Sequence, residues 1–126
     1  MPQDKRWVLL VDDDRQLLVL GQELLECFGY GVLVAQDPAE ALQTFAAYPG
    51  RIDLVILDYC LPGLPGLDLV EKFRQLSPQV KIIIASGFFT PEESQVLLQI
   101  GVDAIINKPF RAVQLQDTIQ KVLVGA

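Results

Sequence analysis

Apolar positions along the chain fall into two alternating patterns. Short apolar runs occur at Arg6–Val11 (RWVLLV), Gly31–Ala35, Ile52–Asp58 (IDLVILD), Val80–Ala85 (VKIIIA) and Asp103–Asn107, each bounded by turn-forming residues. Runs this short, with consecutive apolar residues at their centres rather than at every second position, fit strands covered on both faces of a parallel sheet. Between them apolar residues recur at three- and four-residue spacing. Leu17, Leu20, Leu24 and Phe28 give the first helix, from Arg15, one apolar face that stops at Gly29. Asp37, Pro38 and Glu40 read as N-cap, first-turn proline and capping-box glutamate of a second helix, which ends before Pro49-Gly50. Leu67–Leu76 is a third helix, stopped by Ser77-Pro78. Thr90, Pro91 and Glu93 repeat the capping signature for a fourth, which runs to about Gly101. The fifth, Arg111 to about Leu123, turns Leu115, Ile119 and Val122 or Leu123 inward. Five strands alternating with five helices predict an α/β fold: a doubly wound parallel sheet with right-handed crossovers and helices on both faces.

The composition fits that picture and narrows what the chain can do. At 126 residues and 51% hydrophobic, the sequence reads as one domain over residues 1–126, without repeats or low-complexity linkers. No apolar run is long enough for a membrane span, and no basic n-region with an apolar stretch precedes Trp7, so neither membrane insertion nor a secretory signal is expected. Cys27 and Cys60 stand far apart in apolar contexts and suit free thiols in a reducing compartment, so a cytoplasmic location is expected. The net charge of −6, with the ten basic residues scattered, argues against a nucleic-acid surface. Histidine is absent, so no imidazole of this chain takes part in proton or phosphoryl transfer.

The strands end on chemistry. The first runs into Asp12, Asp13 and Asp14, the third into Asp58, the fourth into Ser86 and the fifth into Lys108. Open parallel sheets bind ligands at the carboxyl ends of their strands. Clustered carboxylates resist joint ionisation and draw a cation. An oxygen-only donor set suits Mg²⁺, or Mn²⁺, better than zinc. With Lys108 to neutralise a phosphoryl oxygen and Ser86 to donate a hydrogen bond, the set fits phosphoryl transfer, leaving Asp58 as the nucleophile that forms an acyl phosphate. Asp14 reads either as a third member of the acidic group or as a charge that favours the N-terminus of the first helix.

This arrangement resembles the receiver domain of two-component response regulators over nearly the whole chain. The matching pattern is an acidic pair after strand one, Asp and a Pro-Gly loop after strand three, Ser after strand four and Lys-Pro after strand five. The resemblance implies a flavodoxin-like sheet of order 2-1-3-4-5. It also implies Asp58 as phosphoacceptor, Asp13 as direct Mg²⁺ ligand with Asp12 assisting, and a Cys60 backbone carbonyl completing the metal site. Ser86 and Lys108 would hold the phosphoryl group, and the Lys108-Pro109 bond is expected to be cis. The implied phosphodonor is a histidine kinase or histidine phosphotransfer protein. The domain would not be an enzyme in its own right: its chemistry is confined to its own phosphorylation and dephosphorylation. Output partner and pathway are left open, as is whether the domain was excised from a longer protein; the LPGLPGL loop and the Ser-Gly after strand four also resemble receivers of hybrid sensor kinases.

The chain departs from the family at Ile105, where an aromatic ring is frequent, which excludes an aromatic rotamer switch there. Ser86, Ile105 and Phe88 are the switch candidates. Phe88 and Phe89 read as helix-packing anchors or as shields over the site, the second of which predicts a long-lived phosphoform that hydrolyses faster in Phe88→Ala. Cys60 has no base or resolving cysteine beside it and reads as chemically inert. Two rival readings fit less well. A haloacid-dehalogenase-type phosphatase wants D-x-D-x-T/V on strand one, and Gln16 fails its last position. A flavin-binding fold wants a Ser, Thr or Gly-rich phosphate loop where this chain has three aspartates.

Overall fold

The computed structural model describes residues 5–59, 66–87 and 90–124. In chain order the elements are β1 (Trp7–Val11), α1 (Arg15–Cys27), β2 (Gly31–Ala35), α2 (Pro38–Ala47), β3 (Leu54–Asp58), α3 (Gly66–Leu76), β4 (Lys81–Ser86), α4 (Pro91–Gln99), β5 (Ala104–Asn107) and α5 (Ala112–Val124). All strand pairs are parallel and the sheet order is β2-β1-β3-β4-β5, as the resemblance implied.

Side chains alternate across each strand, so the apolar runs divide into two cores. Leu9, Val11, Val55, Leu57, Ile82 and Ile84 face α2, α3 and α4, where Phe45 and Phe73 meet with ring centroids 5.0 Å apart. Val8, Leu10, Leu54, Ile56, Ile83 and Ala85 face α1 and α5. Every residue of β3 is buried, which explains why that stretch shows no polar alternation.

The helix ends follow their local signals. Thr90 closes a full capping box on α4: its hydroxyl accepts the Glu93 N–H at 3.1 Å, and the Glu93 carboxylate accepts the Thr90 N–H at 3.1 Å. On α2 the Asp37 carboxylate accepts the Glu40 N–H at 2.8 Å. Both α1 and α4 stop at a glycine in the left-handed region, Gly29 at φ 96° and Gly101 at φ 100°. In each the next N–H reaches back to the third-last helical carbonyl, Tyr30 to Leu25 and Val102 to Leu97. This stop ends α4 at Gln99, two residues before the expected Gly101.

Two expectations need correcting. The buried stripe of α1 runs through Leu18 and Leu25; of the expected face, Leu24 and Phe28 pack partly buried on the same core, Leu17 is partly buried and Leu20 is 61% exposed. With apolar residues at Leu17, Leu18, Val19, Leu20, Leu24 and Leu25, spacing alone fixed the face one position out, and packing on the sheet selects the other register. Asp53 and Asp103 do not belong to the strand runs that contained them. Each precedes its strand and ties its backbone to a neighbouring strand's start. The Asp53 N–H donates to the Trp7 carbonyl at 2.9 Å while its carboxylate accepts the Trp7 N–H at 2.8 Å. Asp103 does the same with Ile82, at 2.8 Å in both directions.

Candidate functional site

Asp12 follows the last residue of β1, held by a hydrogen bond from its N–H to the Ala35 carbonyl of β2 at 3.1 Å. Its Oδ1 accepts the Asp14 N–H at 2.9 Å, which turns the chain sharply into α1. Asp14 then caps that helix, its Oδ1 accepting from Gln16 N at 2.9 Å and Leu17 N at 3.4 Å. Of the two readings of Asp14, the structure shows the one at the helix N-terminus. Asp58 closes β3 opposite Ala85 of β4, and the next N–H, from Tyr59, donates to the Ala85 carbonyl at 2.9 Å. Ser86 ends β4, and its carbonyl accepts the Lys108 N–H at 2.7 Å. Parallel pairing therefore delivers all four groups to one rim. The Lys108-Pro109 peptide is cis.

At that rim Asp12, Asp58 and Ser86 are buried and Asp13 is exposed. Carboxylate oxygens of Asp12, Asp13 and Asp58 lie within 4.8 Å of one another. The Lys108 ammonium is 2.5 Å from Asp12 Oδ2 and 3.6 Å from Asp58 Oδ2. Burial pulls that ammonium toward losing its proton. The hydrogen bond and charge of Asp12, with the charge and hydrogen bond of Asp58 behind them, outweigh burial and hold its pKa above the ordinary lysine value. One ammonium against three carboxylates leaves the group with an excess of negative charge.

The expected residues Asp12, Asp13, Asp58, Ser86 and Lys108 thus share one rim. Ile105 pairs with Ile84 in the sheet and packs, partly buried, on the core facing α2, α3 and α4. Cys60, Phe88 and Phe89 lie outside the described residues. Sequence reasoning missed the tight pairing of Lys108 with Asp12, residues 96 apart in the chain. It gave the lysine to a phosphoryl group, and no local signal marks the partner it has meanwhile.

A family model, the response regulator receiver domain, matches residues 8–120. The chain belongs to that family. This receiver domain is 35% identical over 116 residues to the transcriptional regulatory protein CpxR of Escherichia coli K12, covering 92% of this chain and 48% of that protein. It therefore spans about half the length of that protein, and of several other curated relatives. Among solved structures it is similar to a response regulator receiver domain protein from Clostridium thermocellum, with a TM-score of 0.88, 28% identity and 94% of each chain covered. It is also similar to the chemotaxis protein CheY4 of Vibrio cholerae, with a TM-score of 0.87, 30% identity, and 94% of this chain and 99% of that one covered. Among the described residues no helix is long and apolar enough to cross a membrane.

Proposed function

We propose that this receiver domain accepts a phosphoryl group onto Asp58 from the phosphohistidine of a histidine kinase or histidine phosphotransfer protein. The observation that carries the reading is the position of Asp58: a buried carboxylate at the end of the central strand, 3.6 Å from the Lys108 ammonium and within 4.8 Å of two further carboxylates. A carboxylate oxygen of Asp58 attacks phosphorus, the phosphorus–nitrogen bond of the donor breaks, and its electron pair leaves with the imidazole. The product is an acyl phosphate on Asp58. The oxygen-only donor set and its excess negative charge fit Mg²⁺, held by Asp12, Asp13 and Asp58, with the Cys60 carbonyl as the further ligand the family resemblance implies. Bound there, the cation offsets the charge of the carboxylates and of the incoming phosphoryl group.

Lys108 then exchanges part of its pairing with Asp12 for a phosphoryl oxygen, and the Ser86 hydroxyl donates to another. Because the Ser86 carbonyl already holds the Lys108 backbone, the two respond together, and their joint movement is the conformational switch. Ile105, one strand residue from Ile106 and anchored against Ile84, is stiff at its branched carbon and takes little part in it. The chemistry is limited to autophosphorylation and slow autodephosphorylation, and the domain works in the cytoplasm. Incubation with acetyl phosphate and Mg²⁺ is expected to add one phosphoryl group, read by intact-protein mass spectrometry, and Asp58→Asn to add none. Labelling of Asp58→Asn to the wild-type extent would refute the assignment.

A further inference from the structure

Behind the acidic rim, a crevice of about 190 Å³ runs between α1, α5 and the sheet. Leu10, Leu25, Ile56, Ala85 and Leu115, all buried, form its inner wall, and Asp12 and Lys108 line the end nearest the rim. The exposed Leu20 and partly buried Leu24 stand on the α1 side. The crevice is partly open to solvent, yet it reaches into the closely packed core, where spaces larger than a water molecule are few. Water is a poor occupant. A held water needs two to four polar partners, and among the described lining residues only Asp12 and Lys108 have polar side chains, so most of the crevice gives water nothing to bond. A closed apolar cavity of about 150 Å³ lined by Leu, Ile and Phe binds benzene, and this crevice, though partly open, has a similar size and lining.

We propose that this crevice is a binding site for a small aromatic molecule of one or two rings. An aromatic guest fits better than an aliphatic one because Lys108 forms one end. A ring can pack on the lysine stem with its edge or face and gains from a nearby ammonium, which a saturated hydrocarbon does not. Asp12 and Lys108 belong both to the crevice and to the acidic rim, so occupancy of one is linked to the state of the other. The site stands apart from the phosphoacceptor reading, since it needs neither metal nor phosphodonor.

Benzene is the probe, titrated into the metal-free protein and followed by amide chemical shifts and thermal unfolding. Saturable shifts concentrated at Leu10, Gly21, Leu24, Ala85, Phe110 and Leu115 are expected, with a melting temperature raised by a few degrees. Two variants reduce the space. Ala85→Val adds two methyl groups to the inner wall. Gly21→Ala sets a Cβ 2.6 Å from Leu10 Cδ2 and so drives the flexible end of Leu10 to move within the crevice wall. Whichever of these keeps the wild-type circular dichroism spectrum is expected to lose at least tenfold in benzene affinity. The proposal is overturned if wild type shows no saturable shifts, if shifts spread over the exposed Val96, Leu98 and Val113 instead, or if a folded variant binds benzene as well as wild type.

Discussion

Lys108 is held by two acids at once, and the closer of them is not the proposed phosphoacceptor. Removing the ammonium in Lys108→Met leaves Asp12, which is 5% exposed, without its charge partner. The expected cost in the absence of metal is about 1 to 3 kcal/mol by urea unfolding, less than for a fully buried pair because 19% of the lysine side chain meets solvent. The same substitution removes a cation from beside the acidic group, so Mg²⁺ is expected to bind Lys108→Met several-fold more tightly by calorimetric titration, of the order given by one nearby unit charge. Weaker Mg²⁺ binding in the variant would argue against a shared acidic site. The pH dependence has a definite sign. A group whose folded pKa is raised contributes stability that is complete below its unfolded value and is lost as pH rises through the folded value. The difference in stability between wild type and Lys108→Met is therefore expected to be flat from about pH 7 to about pH 9 and to shrink only in strong alkali. At this scale the residues that meet at the rim were legible because each follows or closes an apolar run. The Lys108–Asp12 pair was not, because nothing within 96 residues of sequence announces it.

Elements begin here in two ways, of which sequence displays only one. Helix caps are local: Thr90 and Glu93 are three residues apart, and their reciprocal bonds could be read from the spacing. Thr90→Ala is expected to cost about 1 kcal/mol, seen as a fall of a few degrees in melting temperature without change in the urea m-value. Strand starts are long-range. Asp53 reaches Trp7 across 46 residues and Asp103 reaches Ile82 across 21, so both aspartates look like interruptions of apolar runs until the sheet assembles. Asp103 also meets Arg74 of α3 at 2.9 Å, tying that helix to the same edge. Their carboxylates act as acceptors for N–H groups at the upstream edge of the sheet. Asp103→Ala strands the N–H of Ile82, a residue with no solvent exposure, and is expected to destabilise by about 1 to 3 kcal/mol, whereas Asp103→Asn keeps an acceptor and loses much less. Equal losses in the two variants would place the cost in the Arg74 ion pair instead.

Across the whole molecule, the sheet separates two kinds of acid: Asp12, Asp13 and Asp58 cluster where the strands end, while Asp53 and Asp103 sit singly where strands begin. The fold class was legible because buried parallel strands and capped helices each leave a strong local period. The strand order was not fixed by those periods, since five βα units of similar length fit several orders, and it came from the family resemblance. A cation that binds only the folded cluster stabilises the entire domain. At about ten times its dissociation constant, Mg²⁺ is expected to add about 1.4 kcal/mol and raise the melting temperature by roughly 5 °C, and Asp13→Asn to lose most of that gain. An unchanged melting curve in millimolar Mg²⁺ would remove the metal from the proposed mechanism. The same end-to-end separation governs what fluorescence can report. Trp7, the chain's one tryptophan, starts β1 opposite Gly31, where an added Cβ would lie 2.5 Å from its ring, and the length of β1, roughly 15 Å, separates it from the acids. Its emission follows unfolding and is blind to the rim: urea is expected to shift the spectrum, while Mg²⁺ or acetyl phosphate leaves it unchanged. A change in emission on adding Mg²⁺ to the folded protein would mean instead that the two ends of the sheet move together.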